Sequence, residues 1–174
     1  ESLIQAKSYA SFGGTMRNNL VRLMDHIGLN KRFDLSSTSD FFLESCSLCH
    51  FTSALRYPVL KNGDMLSSAK PALKNAMLNQ LLTDCFFEEI KLLPNALYLP
   101  LGKGVEDVLL TAVNKGILKE HQLLGGLPHP SGANSERIKY FLGEKPKEML
   151  SVKTNAEKID LAKESLSNKV AAFI

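Results

Sequence analysis

The chain has 174 residues, 44% hydrophobic and 22% charged, with 21 basic against 18 acidic side chains for a net charge of +3. Length and composition suit a single globular domain over 1–174 with a substantial core. So small a charge excludes a polybasic arm or an acidic tail, and no apolar run reaches the roughly 18 residues of a membrane span.

Residues 1–9 mix polar and charged types, so no secretory signal is expected. Three cysteines are too few for a disulfide framework, which makes a reducing cytoplasm the expected compartment. In chain order, Met16, Leu20, Leu23, Met24 and Ile27 fall at helical spacing after Gly13-Gly14, with Gly28 as the cap beyond the helix. The apolar run 41–53 predicts a buried strand in its second half, followed by a long loop. Ser67 or Ser68 would cap a helix with Pro71 in its first turn and a buried stripe of Leu73, Met77, Leu81, Cys85 and Phe86, ending before Pro94.

Residues 95–101 (NALYLPL) read as a short strand running into Gly102-Lys103-Gly104. Val105, Val108, Leu109, Ala112 and Val113 then make a helix closed by Gly116. Leu123, Leu124 and Leu127 lead into Pro128-His129-Pro130-Ser131-Gly132, with Asn134 or Ser135 opening a further helix. Residues 154–173 read as a long surface helix. Alternating strands and helices predict an α/β fold: a three-layer sandwich with a short, mainly parallel central sheet and helices on both faces. Ligands of such sheets collect at the carboxyl ends of strands, which is where the Gly102 and His129 turns would lie.

Two prolines stiffen the turn around His129, which lowers the entropy of presenting its imidazole. Ser131, Gly132 and Asn134 bring amide and hydroxyl donors that suit an anion. From the residues alone the plainer reading, a strand-to-helix turn with a cap and a solvent-exposed histidine, is the favoured one, because short loops of this composition are common.

The segment GGLPHPSGAN resembles the signature loop of the uracil-DNA glycosylase superfamily. NALYLPLGKGVEDVL, DCFFEEIKLLPNA, SFGGTMRNNLVRLMDHIGL and HFTSALRYP are similar to further segments of those enzymes, in the same order over 12–134. The resemblance implies a DNA glycosylase of base-excision repair. It would hydrolyse the N-glycosidic bond of uracil or another damaged base rotated out of single- or double-stranded DNA. His129 would be the catalytic residue, donating a hydrogen bond to charge developing on the departing base. Thr52 and Ser53 would bind the base, while Ser131, Gly132, Asn134, Gly102 and Lys103 would hold DNA phosphates. DNA is the implied partner, the protein acting as a monomer without cofactor or metal.

The sequence departs from the family pattern in two places. The glycine-rich strand end of the first catalytic motif has no counterpart in Glu1-Ser2-Leu3-Ile4-Gln5, so a domain lacking its first strand and that motif is expected. Ser53 stands where the family carries a base-reading asparagine, and a hydroxyl cannot make the paired contact of an amide. The alternative is therefore a catalytically silent homologue that binds nucleic acid or a nucleotide in the same pocket. A third reading is an α/β small-molecule binder in which the His129 turn is structural.

Lys103 also reads as a solvated lysine. Arg56 and Tyr57 read either as DNA-facing or as a loop arginine and a packing tyrosine. Cys46-Ser47-Leu48-Cys49-His50 matches the C-x-x-C-H attachment motif of c-type haem. Its apolar setting favours buried structural thiols instead.

Overall fold

The computed structural model describes residues 13–66 and 68–173. In chain order it contains α1 (Thr15–His26), α2 (Leu29–Arg32), a 3-10 turn (Thr38–Phe42), β1 (Leu60–Lys61), β2 (Asp64–Met65) and a second 3-10 turn (Lys70–Leu73). A continuous helical stretch follows, made of α3 (Ala76–Leu81), a π-helical segment (Leu82–Phe87) and α4 (Glu88–Leu92). After α5 (Lys103–Asn114) come 3-10 turns at Glu120–Gln122 and Gly132–Asn134, α6 (Ser135–Phe141), a 3-10 turn at Lys147–Met149, and α7 (Ala156–Ala172).

The fold is mostly helical, and this corrects the three-layer sandwich expected from the sequence. Among the described residues the sheet is a two-stranded antiparallel ladder, Leu60 opposite Met65 and Lys61 opposite Asp64, around the Asn62-Gly63 turn. Of the expected parallel sheet the described residues hold one bridge, in which Tyr98 N–H donates to Gln122 O at 2.8 Å and Leu124 N–H donates to Tyr98 O at 2.9 Å.

The backbone chemistry explains why that bridge does not grow. The next donor in register would be residue 100, a proline with no N–H. On the other side, Gln122 N–H is already taken by Lys119 O at 3.0 Å within its 3-10 turn. The strand expected in the second half of 41–53 is also absent. Phe41 and Phe42 are buried in a 3-10 turn, and Phe51 stacks on Phe42 with centroids 5.0 Å apart. The phenylalanines there pack ring on ring rather than in a sheet, while Leu43 and Leu48 are exposed.

The chain divides into two compact units, 1–51 with 126–174, and 52–125. In the first unit, α1 packs against α2 and α6, and α7 against α2 and α6. Leu20, Leu23, Met24 and Ile27 are buried as their spacing predicts, while Met16 is only half-buried. Gly28 takes φ 84°, a left-handed conformation that a side chain would strain. Leu166 and Val170 bury one edge of α7, which Asn155 caps by accepting from Lys158 N–H at 2.9 Å.

In the second unit the helical stretch begins at Asn75, whose Oδ1 accepts from Leu78 N–H at 3.0 Å. Ser67, one of the two caps expected for it, lies outside the described residues. The buried stripe is Leu78, Leu82, Phe86, Phe87 and Ile90, one step on from the expected one, and Met77 is 69% exposed. The π-helical turn adds a residue to the repeat, which brings both Phe86 and Phe87 inside. These side chains form one core with Val108, Leu109 and Ala112 of α5. The segment Glu1-Ser2-Leu3-Ile4-Gln5, on which the missing first motif was read, lies outside the described residues, as does Phe12.

Candidate functional site

Leu127, Pro128 and Pro130 are buried, and they carry a half-buried His129 between them. Both prolines spend their side chains on packing, so the turn is anchored on either side of the imidazole. Ser131 N–H donates to His129 Nδ1 at 3.2 Å. A nitrogen that accepts a hydrogen bond carries no proton, so this contact assigns the neutral ring's proton to Nε2.

The rest of the loop is held by side chains. Asn134 Nδ2 donates to Ser131 Oγ at 3.1 Å, and Arg137 Nη1 donates to Asn134 Oδ1 at 3.0 Å. That arginine fixes which way the Asn134 amide points, and Ser131 Oγ, accepting from the amide, keeps its own hydrogen to donate elsewhere. Asn19 Nδ2, on α1, donates to Pro130 O at 2.9 Å. Gly132 is exposed, and a Cβ there would meet nothing within 4 Å.

Beside the loop, Glu136 gathers donors from the segment after α6. Lys145 Nζ lies 2.7 Å, Ser151 Oγ 2.6 Å and Thr154 Oγ1 2.6 Å from its carboxylate. Those hydrogen bonds, that of Lys145 first, hold its pKa far below the usual glutamate range.

The structure brings His129, Ser131, Gly132 and Asn134 into one turn of the first unit. The other expected site residues belong to the second unit. Thr52 and Ser53 are exposed on an irregular segment, which corrects their expected place on a base-reading strand. Gly102 precedes α5 with φ 104°. Lys103 Nζ is 3.0 Å from Asp107 and 3.5 Å from Glu106, the pairing of a solvated lysine on its own helix. Arg56 pairs with Glu89 at 2.9 Å, and Tyr57 is 59% exposed rather than packed.

Cys46 and Cys49 are free and half-buried, on an irregular segment rather than inside the core as expected. Burial, with neighbouring Cys46 adding to it, pushes the Cys49 thiol up to about 11. Among the described residues no group of three or more His, Cys, Asp or Glu is placed to hold a metal ion. No helix is long and apolar enough to cross a membrane, again among the described residues.

Asn19, Glu136 and Arg137 were not singled out from the sequence. The three-residue spacing of Asn134 and Arg137 would have suggested their contact. Nothing local could have shown that Asn19 reaches Pro130, 111 residues away.

No family model matches the chain, and no solved structure matches it. It is similar to a protein of Bacillus subtilis (strain 168) named "Uncharacterized protein YoxB", with 33% identity over 161 residues. The aligned region is 91% of this chain, and the chain spans 63% of that relative's length.

Proposed function

We propose that this chain is part of a DNA glycosylase-like protein of base-excision repair, in which His129 assists departure of uracil or another damaged base. The observation that carries the reading is the hydrogen bond from Ser131 N–H to His129 Nδ1 at 3.2 Å. When the bond from sugar to base breaks, negative charge develops on the base. A neutral imidazole protonated at Nε2 is a hydrogen-bond donor to that charge, and it needs no proton transfer to become one. Water then completes hydrolysis at the sugar carbon.

Ser131 supports the same reading, because its hydroxyl hydrogen is left for an acceptor such as a phosphate oxygen of the extruded nucleotide. The resemblance of GGLPHPSGAN to the uracil-DNA glycosylase superfamily supports it through this loop and not through layer architecture. The protein would act as a monomer, and its three cysteine thiols fit a reducing cytoplasm.

A second reading, nucleic-acid binding without catalysis, is favoured by Ser53, which is exposed and offers no amide to a base edge. Free base released from uracil-containing single- and double-stranded oligonucleotides decides between the two. The wild type should release base, and His129→Ala should lower the rate by about a hundredfold or more. Wild-type release no faster than that of the variant overturns the enzyme reading. Salt-sensitive binding of the same oligonucleotides would then favour the silent one.

A further inference from the structure

We propose that Asn19 is a positioning residue for His129, acting through the single peptide group that joins Pro130 to Ser131. This deepens the functional reading above and rests on it for the use made of His129.

Both ends of that peptide group are engaged. Its carbonyl oxygen accepts from Asn19 Nδ2 at 2.9 Å, and its N–H donates to His129 Nδ1 at 3.2 Å. A peptide group is planar, so fixing the carbonyl fixes the direction of the N–H on the opposite side. A donor on the carbonyl also polarises the group and strengthens its N–H as a donor.

Asn19 is well placed to impose this orientation. It sits on α1, a twelve-residue helix, next to the buried Leu20. The turn is held independently by the burial of Pro128 and Pro130. Ser131 has φ −66° and ψ 151°, an unstrained extended conformation, so backbone geometry alone does not lock the peptide plane. Asn19 supplies that lock. Without its donor the plane can rotate, Ser131 N–H leaves Nδ1, and the neutral imidazole is free to carry its proton on either nitrogen. A merely structural asparagine would cost stability when replaced and leave the tautomer as it was.

The test reads the tautomer directly, from long-range proton–nitrogen correlation spectra of His129 at pH 8. Wild type should show Nδ1 as a bare acceptor and Nε2 protonated. Asn19→Asp keeps the shape but cannot donate, and it should give a mixed tautomer pattern. Asn19→Ser, too short to reach the carbonyl, serves the same purpose if the aspartate variant does not fold. Ser131→Pro suits φ −66° and removes the N–H with Asn19 in place, so it should give the mixed pattern too.

For base release, Asn19→Asp and Asn19→Ser should lower kcat by about tenfold with KM unchanged. A wild-type tautomer pattern in either Asn19 variant overturns the proposal, as does a wild-type protein whose Nδ1 carries the proton. Spectra that change as expected in a protein that releases no base leave the positioning role standing and remove the glycosylase reading. Release by the wild type with unchanged spectra in the variants does the reverse.

Discussion

A Cβ built on Gly126 would lie 2.8 Å from the Cβ of Ala162 on α7. Two carbons do not approach so closely, and Gly126 also has φ 94°, where a side chain is strained. The residue that begins the His129 segment is therefore held against α7 by a contact that only glycine allows. Gly126→Ala should lower stability by about 2–4 kcal/mol, the combined cost of backbone strain and overpacking. Urea unfolding of the two proteins measures this, and a midpoint within error of wild type would refute it.

Gln122 offers a second test, in the other unit. It is 4% exposed, and its amide gives Nε2 to Pro94 O at 2.8 Å and Ala96 O at 2.9 Å while Oε1 accepts from Lys119 N–H at 3.1 Å. One side chain thereby satisfies three backbone groups around the Tyr98–Leu123 bridge. Gln122→Met keeps the length but leaves those groups unpaired, and should cost about 2–4 kcal/mol. Gln122→Glu should cost more, because a carboxylate cannot donate to either carbonyl. Thermal unfolding of the three proteins gives the order, and a glutamate variant as stable as wild type would sink the account.

The same residues show where sequence reasoning succeeds and where it stops. α1 and α5 are legible because apolar spacing agrees with the terminal glycines Gly28, Gly102 and Gly116, and α7 because charged and apolar residues alternate along it. NALYLPL carries the side chains of a strand, but strand pairing depends on backbone donors, and Pro100 has none. Gln122 then closes the other side of the bridge with contacts that no spacing rule anticipates. The buried stripe already runs one residue late in α3, at Leu78 rather than Met77, and the π-helical turn after it brings Phe87 inside beside Phe86. At the candidate site, the sequence displays the loop from His129 to Asn134, since its residues are contiguous. It hides Asn19, whose hydrogen bond to Pro130 O exists only once α1 has packed beside the turn.

Cys49 carries a prediction about reactivity. Its thiol is pushed up to about 11, chiefly by burial. Thiolate is the reactive form, so at pH 8 Cys49 holds roughly a hundredfold less of it than a thiol of ordinary pKa. A more basic thiolate is also more nucleophilic, which recovers roughly a factor of ten. Alkylation by iodoacetamide at Cys49 should therefore run about tenfold slower than for a short peptide containing the same cysteine. Mass mapping over time checks it, and a Cys49 that labels as fast as the peptide would contradict it.

The Glu136 cluster predicts how stability changes with acid. Hydrogen bonds from Lys145, Ser151 and Thr154 favour its charged form, so its pKa in the folded chain is well below the roughly 4.3 of an unfolded glutamate. A depressed carboxylate adds stability that is fully present above the unfolded value. That stability is lost progressively as pH falls toward the folded value, because the unfolded chain takes up the proton first. Glu136→Gln removes the charge and with it this dependence. The urea midpoint of wild type should exceed that of the variant by a constant amount at pH 7 and pH 6, and by a smaller amount at pH 3. A difference that stays the same or widens at pH 3 would show that Glu136 is not held ionised by these partners. The segment 145–154 would then owe its place to something other than this carboxylate.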